Sequence, residues 1–413
     1  MTFLEPDDPR ATARIGLIAD DFTGAMDSGA QFTHAANDVY LRFAGSPQHD
    51  VEIINTASRE LDEHTAIDRQ RTACQQLKDR LLFKKIDSTL RGHVGAEVAA
   101  IVAATAHRKA VICPAAPLQG RTVSTGQLYI HGVPLAETAF KDDPVYPAHT
   151  SHLADLIRRP TSHIPIEVVR GAHADLVAHI ADAPTPLVTT DAETPQDLQV
   201  IARAILACRA LPCGAFGLAH TFMQQLRQAM HSHSTFHSNG RTLVVVGSAH
   251  PTSRMQIDVL AQHPDSLLFR LDADSSVEII SAQVDSAPPS KRIIILRANQ
   301  TQTTHTPEWL SFSKTVSDMA ADLLERLSQR SWLSQRSWQS QLSGQAIQTI
   351  LVIGGETVTH FSQRVTMQGI HIQGEAMPGL PFGRIQGGHC TGMQLLTKAG
   401  GFGQPDTLLK MLT

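Results

Sequence analysis

The first half of the chain alternates short apolar runs with longer amphipathic stretches. The apolar runs cover residues 15–19, 51–55, 81–84, 110–113 and 186–190, and polar or turn-forming residues follow each of them. Runs of this length are typical of buried strands, and the stretches between them have a helical period. Strands that alternate with helices predict an α/β fold in which helices cover a parallel sheet.

A second series of apolar runs, at residues 242–246, 292–296 and 349–353, predicts further strands. Between the two series, residues 231–241 are polar and aperiodic and contain a glycine, which is typical of a linker between domains. We therefore predict two domains, residues 1–235 and 241–413. Each is expected to be a mainly parallel sheet covered by helices, with the active site in the cleft between the domains.

Two local features have both a functional and a structural interpretation. The linker holds histidines at positions 231, 233 and 237, but no cysteine or carboxylate nearby completes a zinc ligand set, so we favour a solvated linker. The sequence Ser-Gln-Arg-Ser-Trp occurs twice, at 328–332 and 334–338. We interpret it as a local duplication that lengthens a surface helix or loop.

The overall composition disfavours several classes of protein. A chain of 413 residues is longer than one hydrophobic core usually serves, which agrees with two domains. The net charge of −4 disfavours a nucleic-acid-binding surface, and no uncharged apolar run is long enough to span a membrane. The first 13 residues lack a secretory signal, and the five scattered cysteines form no Cys-x-x-Cys pair. We therefore expect a cytoplasmic protein with reduced thiols.

Two adjacent carboxylates, Asp20 and Asp21, follow the first predicted strand directly. In an open α/β sheet, ligands bind outside the carboxyl ends of the strands. Two carboxylates at such an end lose solvation, which is unfavourable unless a ligand or a cation pairs with them. We interpret this pair as the floor of a site for a polar substrate.

A second group of polar residues follows the strand at 81–84. It puts two cations, one carboxylate and two hydroxyls within seven residues: Lys85, Asp87, Ser88, Thr89 and Arg91. A small substrate with a carboxylate and hydroxyls needs such a mixture, because arginine grips a carboxylate as a planar fork while Asp and Ser pair with hydroxyls. The alternative is a helix N-terminus capped by Ser88 or Thr89. Arg59 lies at a neighbouring strand end, so we favour the substrate site.

Turn residues and glycines elsewhere suggest anion sites. Residues 119–135 predict a loop or small hairpin in which Arg121 is available to an anion. In the second half, Gly354-Gly355 and Gly400-Gly401 follow predicted strands, where backbone N–H groups can approach phosphate oxygens. Lys398 could neutralise phosphate charge. Together with Gly247-Ser248, these clusters favour a nucleotide site, although a single glycine pair can equally be a tight turn.

The usual nucleotide motifs are missing. The chain has no Gly-x-x-x-x-Gly-Lys-[Ser/Thr] and no Gly-x-Gly-x-x-Gly after the first strand, which disfavours a P-loop enzyme and a dinucleotide dehydrogenase. The segment Asp20-Asp21-Phe22-Thr23-Gly24 superficially resembles an aspartyl-phosphate phosphatase. That chemistry needs aspartates on alternate residues, and these are adjacent.

Eight ordered segments together resemble the four-carbon acid sugar kinase family. They are IADDFTGAMDSG at 18–29, TASRE at 56–60, KKIDSTLRGHVGAE at 84–97, PAAPLQGRTV at 114–123, GSAHPTS at 247–253, GGET at 354–357, PGLPFG at 378–383 and KAGGFG at 398–403. The segment Phe216-Gly217-Leu218-Ala219 departs from the Gly-Ser-Gly-Leu-Ala that relatives often carry.

The resemblance implies an ATP-dependent kinase with an N-terminal substrate domain and a C-terminal nucleotide domain. Its expected reaction is phosphorylation of the terminal hydroxyl of a four-carbon sugar acid. The sequence at 85–92 is similar to that of the D-threonate and D-erythronate members rather than that of the 3-oxo-tetronate members. The implied substrate contacts are Asp21, Arg59 and residues 85–88. The implied nucleotide contacts are Ser248, Gly354, Gly355, Glu356, Thr357, Gly400 and Gly401.

We expect ATP and Mg²⁺ to be required, with no protein ligand assigned to the metal. Asp21, or alternatively Asp87, is expected to accept the proton of the attacking hydroxyl, and Arg59 with residues 85–91 to hold the carboxylate. Other interpretations are a sugar-acid oxidoreductase, a ligand-binding regulator without turnover, or a two-domain protein whose polar strand ends are coincidental. A homodimer is also considered.

Overall fold

The computed structural model describes residues 9–46, 48–143, 145–158, 164–169, 175–227, 234–238, 240–272, 274–299, 307–334 and 346–413. It divides into two compact units, Met1–His233 (unit 1) and Ser234–Thr413 (unit 2). Two sequence interpretations fall partly outside the described residues. They concern the linker histidines at 231 and 233 and the second Ser-Gln-Arg-Ser-Trp copy beyond position 334.

Unit 1 contains a parallel sheet and a small antiparallel sheet. Its strands are β1 (Ile15–Ala19), β2 (Val39–Arg42), β3 (Val51–Asn55), β4 (Leu81–Lys85), β5 (Ala110–Cys113), β6 (Arg121–Ser124), β7 (Gln127–Ile130), β8 (Val133–Pro134), β9 (Ile166–Val169), β10 (Leu187–Thr190) and β11 (Leu211–Gly214). The parallel sheet has the order β2-β3-β1-β4-β11-β5-β10-β9, and β6, β7 and β8 form the antiparallel sheet.

The helices of unit 1 connect these strands. They are α1 (Phe22–Phe32), α2 (Glu63–Gln76), α3 (Val94–Ala104), α4 (Leu153–Ile157), α5 (Leu176–Asp182), α6 (Pro195–Cys208) and α7 (Phe216–Leu226). Local sequence explains several helix ends. Asp21 and Asp62 cap α1 and α2 by accepting from backbone N–H groups, and Thr194 with Asp197 forms a capping box ahead of Pro195 in α6.

Unit 2 is a mixed sheet with a parallel portion and an antiparallel edge. Its strands are β12 (Arg241–Val246), β13 (Ser266–Leu271), β14 (Ile293–Ala298), β15 (Ile347–Ile353), β16 (Gly369–Met377), β17 (Leu380–Gln386) and β18 (Gln394–Lys398). The order is β13-β14-β12-β15-β18-β17-β16, with antiparallel pairing only at β18-β17 and β17-β16 within this described sheet. The helices are α8 (Pro251–Ala261), α9 (Val277–Ser286), α10 (Pro307–Ser334), α11 (Gly355–Arg364) and α12 (Thr407–Leu412).

The structure confirms the α/β class and the predicted strands. The runs at 51–55 and 110–113 are β3 and β5 without any change of bounds, and 119–135 contains the small antiparallel sheet. The first Ser-Gln-Arg-Ser-Trp copy continues α10. No helix among the described residues combines the length and apolarity that a membrane crossing needs.

The topology puts polar loops together in each unit. Strands β3, β1 and β4 are parallel neighbours, so the loops after Asn55, Ala19 and Lys85 meet at one edge of the sheet. In unit 2, β12, β15 and β18 are parallel neighbours, so the loops after Val246 and Ile353 meet the loop that follows β18. We call these the carboxyl edge of unit 1 and the carboxyl edge of unit 2.

The core of unit 1 includes a cluster of aromatic rings beneath its sheet. Phe83 of β4 is fully buried, and its ring centroid lies 5.6 Å from that of Phe32 and 5.8 Å from that of Phe222. These rings connect β4 with α1 and α7. Phe83 therefore anchors the strand that carries the residues of the carboxyl edge.

Replacing Phe83 by alanine should destabilise unit 1 by about 3–5 kcal/mol, because it leaves a cavity among rings that cannot fully close it. Urea unfolding followed by far-UV circular dichroism measures this loss. Tryptophan fluorescence follows unit 2 separately, since all three tryptophans fall within residues 234–413. Phe83→Leu should lower the free energy of unfolding much less than Phe83→Ala. An alanine variant as stable as the wild type would contradict the role of the ring cluster.

Candidate functional site

The two carboxylates that follow β1 are bound by one arginine. Arg59 Nε donates to Asp20 Oδ2 at 2.7 Å, and Arg59 Nη2 donates to Asp20 Oδ1 at 3.1 Å and to Asp21 Oδ1 at 2.7 Å. Asp20 is 3% exposed. Burial would by itself raise the pKa of Asp20, but Arg59, with help from Lys84 and Lys85, outweighs it and lowers the pKa. Asp20 is therefore a carboxylate held ionised by its neighbours.

Backbone contacts bring Arg59 to this position. The loop after β3 bonds to the loop after β1, because Thr56 N–H donates to Ala19 O, and Ser58 N–H and Arg59 N–H both donate to Asp20 O. The hydroxyl of Tyr146 donates to Arg59 O from a separate segment of the chain. Arg59 and Asp20 are 39 residues apart in sequence, so only the adjacency of β1 and β3 makes the pair.

A buried ion pair lies beneath this loop, and sequence reasoning missed it. Lys84 Nζ lies 2.6 Å from Glu97 Oε2, with both side chains almost fully buried. Ser58 Oγ donates to Glu97 Oε1 at 2.5 Å, and Gln70 Nε2 donates to the hydroxyls of Ser58 and Thr56. The network fixes Ser58, the residue before Arg59. A single charge within the otherwise apolar α3 was the signal that could have revealed it.

The second carboxylate centre is Asp87, after β4. Its oxygens accept from the backbone N–H and hydroxyl of Thr89 and from the Nε and Nη2 groups of Arg91, each of which lies 3.0 Å away. Arg59 Nη2 lies 3.9 Å from Asp87 Oδ1. Burial would raise the pKa of Asp87, but Arg91 and Arg59 outweigh it and hold the pKa well below its usual range. Asp87 is therefore a fully engaged carboxylate.

Lys85 and Asp21 converge on the first turn of α1. A Cβ built on Gly24 would lie 2.8 Å from Lys85 Nζ and 2.5 Å from Asp21 Oδ1. Lys85 is 5% exposed, and its ammonium group donates to Ile86 O. The missing side chain of Gly24 therefore lets a buried cation and a carboxylate approach the same point. Sequence reasoning did not assign Gly24 this part.

Asp21 keeps one oxygen unengaged. Its Oδ1 accepts from Gly24 N and from Arg59 Nη2, whereas Oδ2 accepts no hydrogen bond from the part of the chain that the structure describes. The hydroxyl of Ser88, half-buried nearby in the loop after β4, is also without a protein partner among the described residues. Thr89 differs, because its hydroxyl donates to Asp87. The structure thus brings the predicted residues of unit 1 together but commits Thr89 and Arg91 to Asp87.

The carboxyl edge of unit 2 brings three predicted loops together. Ser248 N–H donates to Ile353 O, and Gly354 N–H donates to Lys398 O. Ser253 Oγ donates to Gly400 O at 2.6 Å and to Ser248 Oγ at 3.3 Å. The loops after β12, β15 and β18 are therefore tied to one another, and α8 and α11 begin beside them.

Close approach explains the glycines at this edge. A Cβ on Gly400 would lie 2.2 Å from Ser248 Oγ, and one on Gly401 would lie 3.0 Å from His250 Nε2. Gly354 has φ +113°, which favours glycine over residues with a side chain. It precedes α11, whose first residue is Gly355. As at any helix N-terminus, the first N–H groups of α11 have no intrahelical acceptor, and this favours an anion beside them.

Lys398 is a buried cation at the same edge. It is 1% exposed, and its ammonium group donates to Ala399 O and Gly400 O. Burial lowers the pKa of Lys398 to about 7. The pKa of His250 is lowered by burial and by Lys398. An anion at this edge would favour the protonated form of Lys398.

The remaining two predicted nucleotide residues lie in the first turn of α11. Glu356 is half-buried there. Thr357 is 1% exposed, its Oγ1 pairs with Ser313 Oγ of α10, and a Cβ on Gly247 would meet it at 2.1 Å. The Thr357 side chain is therefore part of the packing between α11 and α10, and only its backbone is placed to contact a ligand.

Comparisons with known proteins agree with this division of the chain. Residues 15–222 match the family model described as a sugar-binding N-terminal domain, and residues 243–408 match the one described as a nucleotide-binding C-terminal domain. The chain is 31% identical to a D-threonate kinase of Salmonella typhimurium, with 96% of this chain and 97% of the relative covered. It is also 31% identical to a D-threonate kinase of Bordetella bronchiseptica, with 96% of each covered.

A more distant relative and two solved structures extend the comparison. A D-erythronate kinase of Heliobacterium modesticaldum is 25% identical over 95% of each chain. A crystal structure from Salmonella typhimurium, titled a putative tRNA synthase, superposes with a TM-score of 0.78 at 23% identity, covering 96% of this chain and 98% of that one. A Haemophilus influenzae protein superposes with a TM-score of 0.70 at the same identity and the same coverage. These structures show that the fold is shared.

Both family models match, and together they cover most of the chain. The relatives that are aligned along nearly its whole length are kinases of sugar acids. Both findings confirm the family that the eight sequence segments indicated. The chain belongs to the four-carbon acid sugar kinase family, and it is a phosphotransferase that acts on a sugar acid.

Proposed function

We propose that this protein transfers the γ-phosphoryl group of ATP to the terminal hydroxyl of D-threonate. Unit 1 binds the acid at its carboxyl edge, and unit 2 binds ATP at its own. The observation that carries the proposal is the unengaged Oδ2 of Asp21, in the sugar-binding domain. Asp21 lies beside the buried Lys85 and the half-buried Arg59. The choice of D-threonate is supported by the two relatives that are D-threonate kinases.

The carboxyl edge of unit 1 suits a small hydroxylated anion. Its cations and carboxylates are close to balance, so a ligand meets fixed charges of both signs rather than one strong field. Carboxylates and the Ser88 hydroxyl can pair with substrate hydroxyls, and guanidinium and ammonium groups can pair with a carboxylate. Most of these groups are already hydrogen-bonded to one another, which fixes their positions before a substrate arrives.

Asp21 is the better of the two candidates for the general base. A base needs an oxygen within reach of the hydroxyl proton and a tendency to accept it. Asp87 lacks both, because its oxygens are engaged by Thr89 and Arg91 and its pKa is held well below its usual range. Asp21 offers Oδ2, while Arg59 and the Gly24 N–H hold the other oxygen in place.

The carboxyl edge of unit 2 suits a polyphosphate. The first turn of α11 adds its N–H groups and the positive end of the helix dipole, Gly400 leaves room beside Ser248, and Lys398 adds a buried ammonium group. The hydroxyl of Ser248 lies among them. Mg²⁺, when bound, would neutralise phosphate charge. We assign it no protein ligand, because Mg²⁺ commonly keeps its waters and binds through substrate phosphates.

Several narrower statements stay predictions. Phosphorylation of D-erythronate or of a 3-oxo-tetronate is the nearest alternative, since relatives with both names are similar along most of the chain. The homodimer, the cytoplasmic location and the domain bounds 1–235 and 241–413 also stay predictions.

The function is tested by the release of ADP from ATP and Mg²⁺ in the presence of D-threonate, D-erythronate, L-threonate and a 3-oxo-tetronate. We expect the highest kcat/KM with D-threonate. ³¹P NMR of the product should show the phosphoryl group on the terminal hydroxyl. A higher value with another acid would reassign the substrate. If none of the four acids led to ADP formation, the proposal would be refuted.

Asp21→Asn should lower kcat at least about 100-fold, because the amide cannot accept the hydroxyl proton in the transition state. The KM for ATP should stay close to that of the wild type. Asp62→Asn is the matched control, because Asp62 is another helix-capping aspartate of unit 1 and lies at the start of α2. A near-normal kcat for Asp21→Asn would remove Asp21 from the role of base.

The affinity for ADP should depend on pH through Lys398. The pKa of Lys398 is about 7 in the free chain, and a bound polyphosphate would raise it. Below that pKa the group is already protonated, so its contribution to affinity is constant. Above it, binding must take up a proton, and affinity falls by up to about tenfold per pH unit until the pKa of the complex is reached.

Isothermal titration at pH 7, 8 and 9 in buffers of different ionisation enthalpy measures both the affinity and the proton uptake. Lys398→Met should lose this part of the pH dependence and bind ADP more weakly at pH 7. Lys410→Met, at an exposed lysine of α12, is the control. If Lys398→Met keeps the pH dependence of the wild type, Lys398 does not face the phosphates.

A further inference from the structure

Arg121 is an arginine whose hydrogen-bonding groups the site has not used. Its backbone pairs with Ala116, just after β5, and the parallel strands β4, β11 and β5 end at the same edge of the sheet, the carboxyl edge of unit 1. Arg121 is the first residue of β6, and its Nη1 donates to Gln119 O at 2.9 Å. Its Nε is buried and has no hydrogen-bond partner among the described residues. Burial lowers the pKa of Arg121, while the nearby carboxylates of Asp87 and Asp27 raise it and Arg91 lowers it. Arg121 therefore shares its surroundings with the Asp87 centre.

The other two arginines at this edge are already committed. An arginine grips a carboxylate most strongly through the edge formed by Nε and Nη2, which makes two parallel hydrogen bonds. Arg59 uses this edge for Asp20, and Arg91 uses it for Asp87. Neither can offer it to a substrate without giving up a buried carboxylate. This conflicts with the expectation that Arg59 holds the carboxylate of the acid.

Arg121 offers that edge. Within the described part of the chain its Nε has no partner, and no contact engages its Nη2. A buried donor without a partner costs stability, and more when the group is charged. A ligand carboxylate paired with this edge would remove the cost and supply the missing negative charge. The cost in the free chain is therefore recovered on binding.

The backbone around Arg121 is fixed. Its N–H donates to Ala116 O and its carbonyl accepts from Ala116 N–H, so the start of β6 is bonded on both sides. Gly120, which precedes it, has φ +69°, and a Cβ there would lie 2.2 Å from His131 Nδ1. His131 N–H donates to Gly120 O at 2.6 Å. The loop thus holds Arg121 in place before any ligand binds.

We propose that Arg121 binds the carboxylate of the substrate through its Nε–Nη2 edge, whereas Arg59 positions Asp20 and Asp21. Arg121 then sets the specificity for sugar acids over neutral four-carbon polyols. The proposal rests on the proposed function of the site as the acceptor site of a sugar-acid kinase. The sequence indicated only that Arg121 is available to an anion, and the structure adds the free edge that would bind the carboxylate.

The test compares wild type, Arg121→Met and Arg121→Lys with D-threonate and with D-threitol, in which a CH₂OH group replaces the carboxylate. Arg121→Met should raise the KM for D-threonate by about 10- to 100-fold, the loss expected for a charged hydrogen-bonded pair. The KM for ATP and the kcat/KM for D-threitol should stay within about twofold of wild type. A merely structural role would change all three together.

Arg121→Lys keeps the charge and guards against a folding failure of the methionine variant. It should also raise the KM for D-threonate, but less, because an ammonium group cannot make two parallel hydrogen bonds. Arg71→Met, at an exposed arginine of α2, is the control and should match the wild type. Circular dichroism confirms folding of each variant.

Direct binding of D-threonate, measured by isothermal titration, separates this inference from the proposed function. Arg121-dependent binding without ADP formation would support Arg121 and refute the kinase reaction on this acid. ADP formation with an unchanged KM in both Arg121 variants would refute Arg121 and leave the kinase proposal standing. If the wild type neither binds nor phosphorylates any of the four acids, both proposals are wrong.

Discussion

The carboxyl edge of unit 1 depends on one ion-pair cluster, in which Arg59 binds Asp20 and Asp21. Taking these charges out of water is costly, and the cost is offset only because each carboxylate finds donors at close range. The pairing also joins the loops after β1 and β3. Removing Arg59 would leave a buried Asp20 without its main partner, so the cluster constrains structure and chemistry together.

Because of this pairing, the charged residues of the edge differ in what they can offer to a ligand. Arg59 and Arg91 neutralise protein carboxylates, so they define the shape of the edge more than they offer new hydrogen bonds. Among the described residues of this edge, Asp21 Oδ2, the Ser88 hydroxyl and Arg121 Nε have no hydrogen-bond partner. The substrate proposed above, with a hydroxyl at one end and a carboxylate at the other, needs one acceptor and one fork donor. The free atoms, rather than the number of charges, indicate what binds.

Unit 2 reaches an anion-binding edge by a different route. Its edge is made of glycine turns, helix N-termini and one buried lysine, with few fixed side-chain charges. Backbone N–H groups can bind the phosphates of a nucleotide whatever its base. A glycine is needed at position 400 because the Ser248 hydroxyl lies where the Cβ of another residue would be. Burial lowers the pKa of Lys398 to about 7, so an anion bound at this edge would be coupled to proton uptake.

The sequence by itself determined the α/β class, most of the parallel strands and the segments that carry chemistry, because apolar periodicity and strand-end residues are local signals. It also placed Asp21, Arg59 and Lys85 in one site. Only the tertiary structure decided which charges pair. The Lys84–Glu97 pair, the commitment of Arg59 to Asp20, and the free edge of Arg121 depend on contacts between residues far apart in sequence. The antiparallel edge β16-β17-β18 was likewise invisible, since hairpin pairing is a relation between strands and not a property of either one.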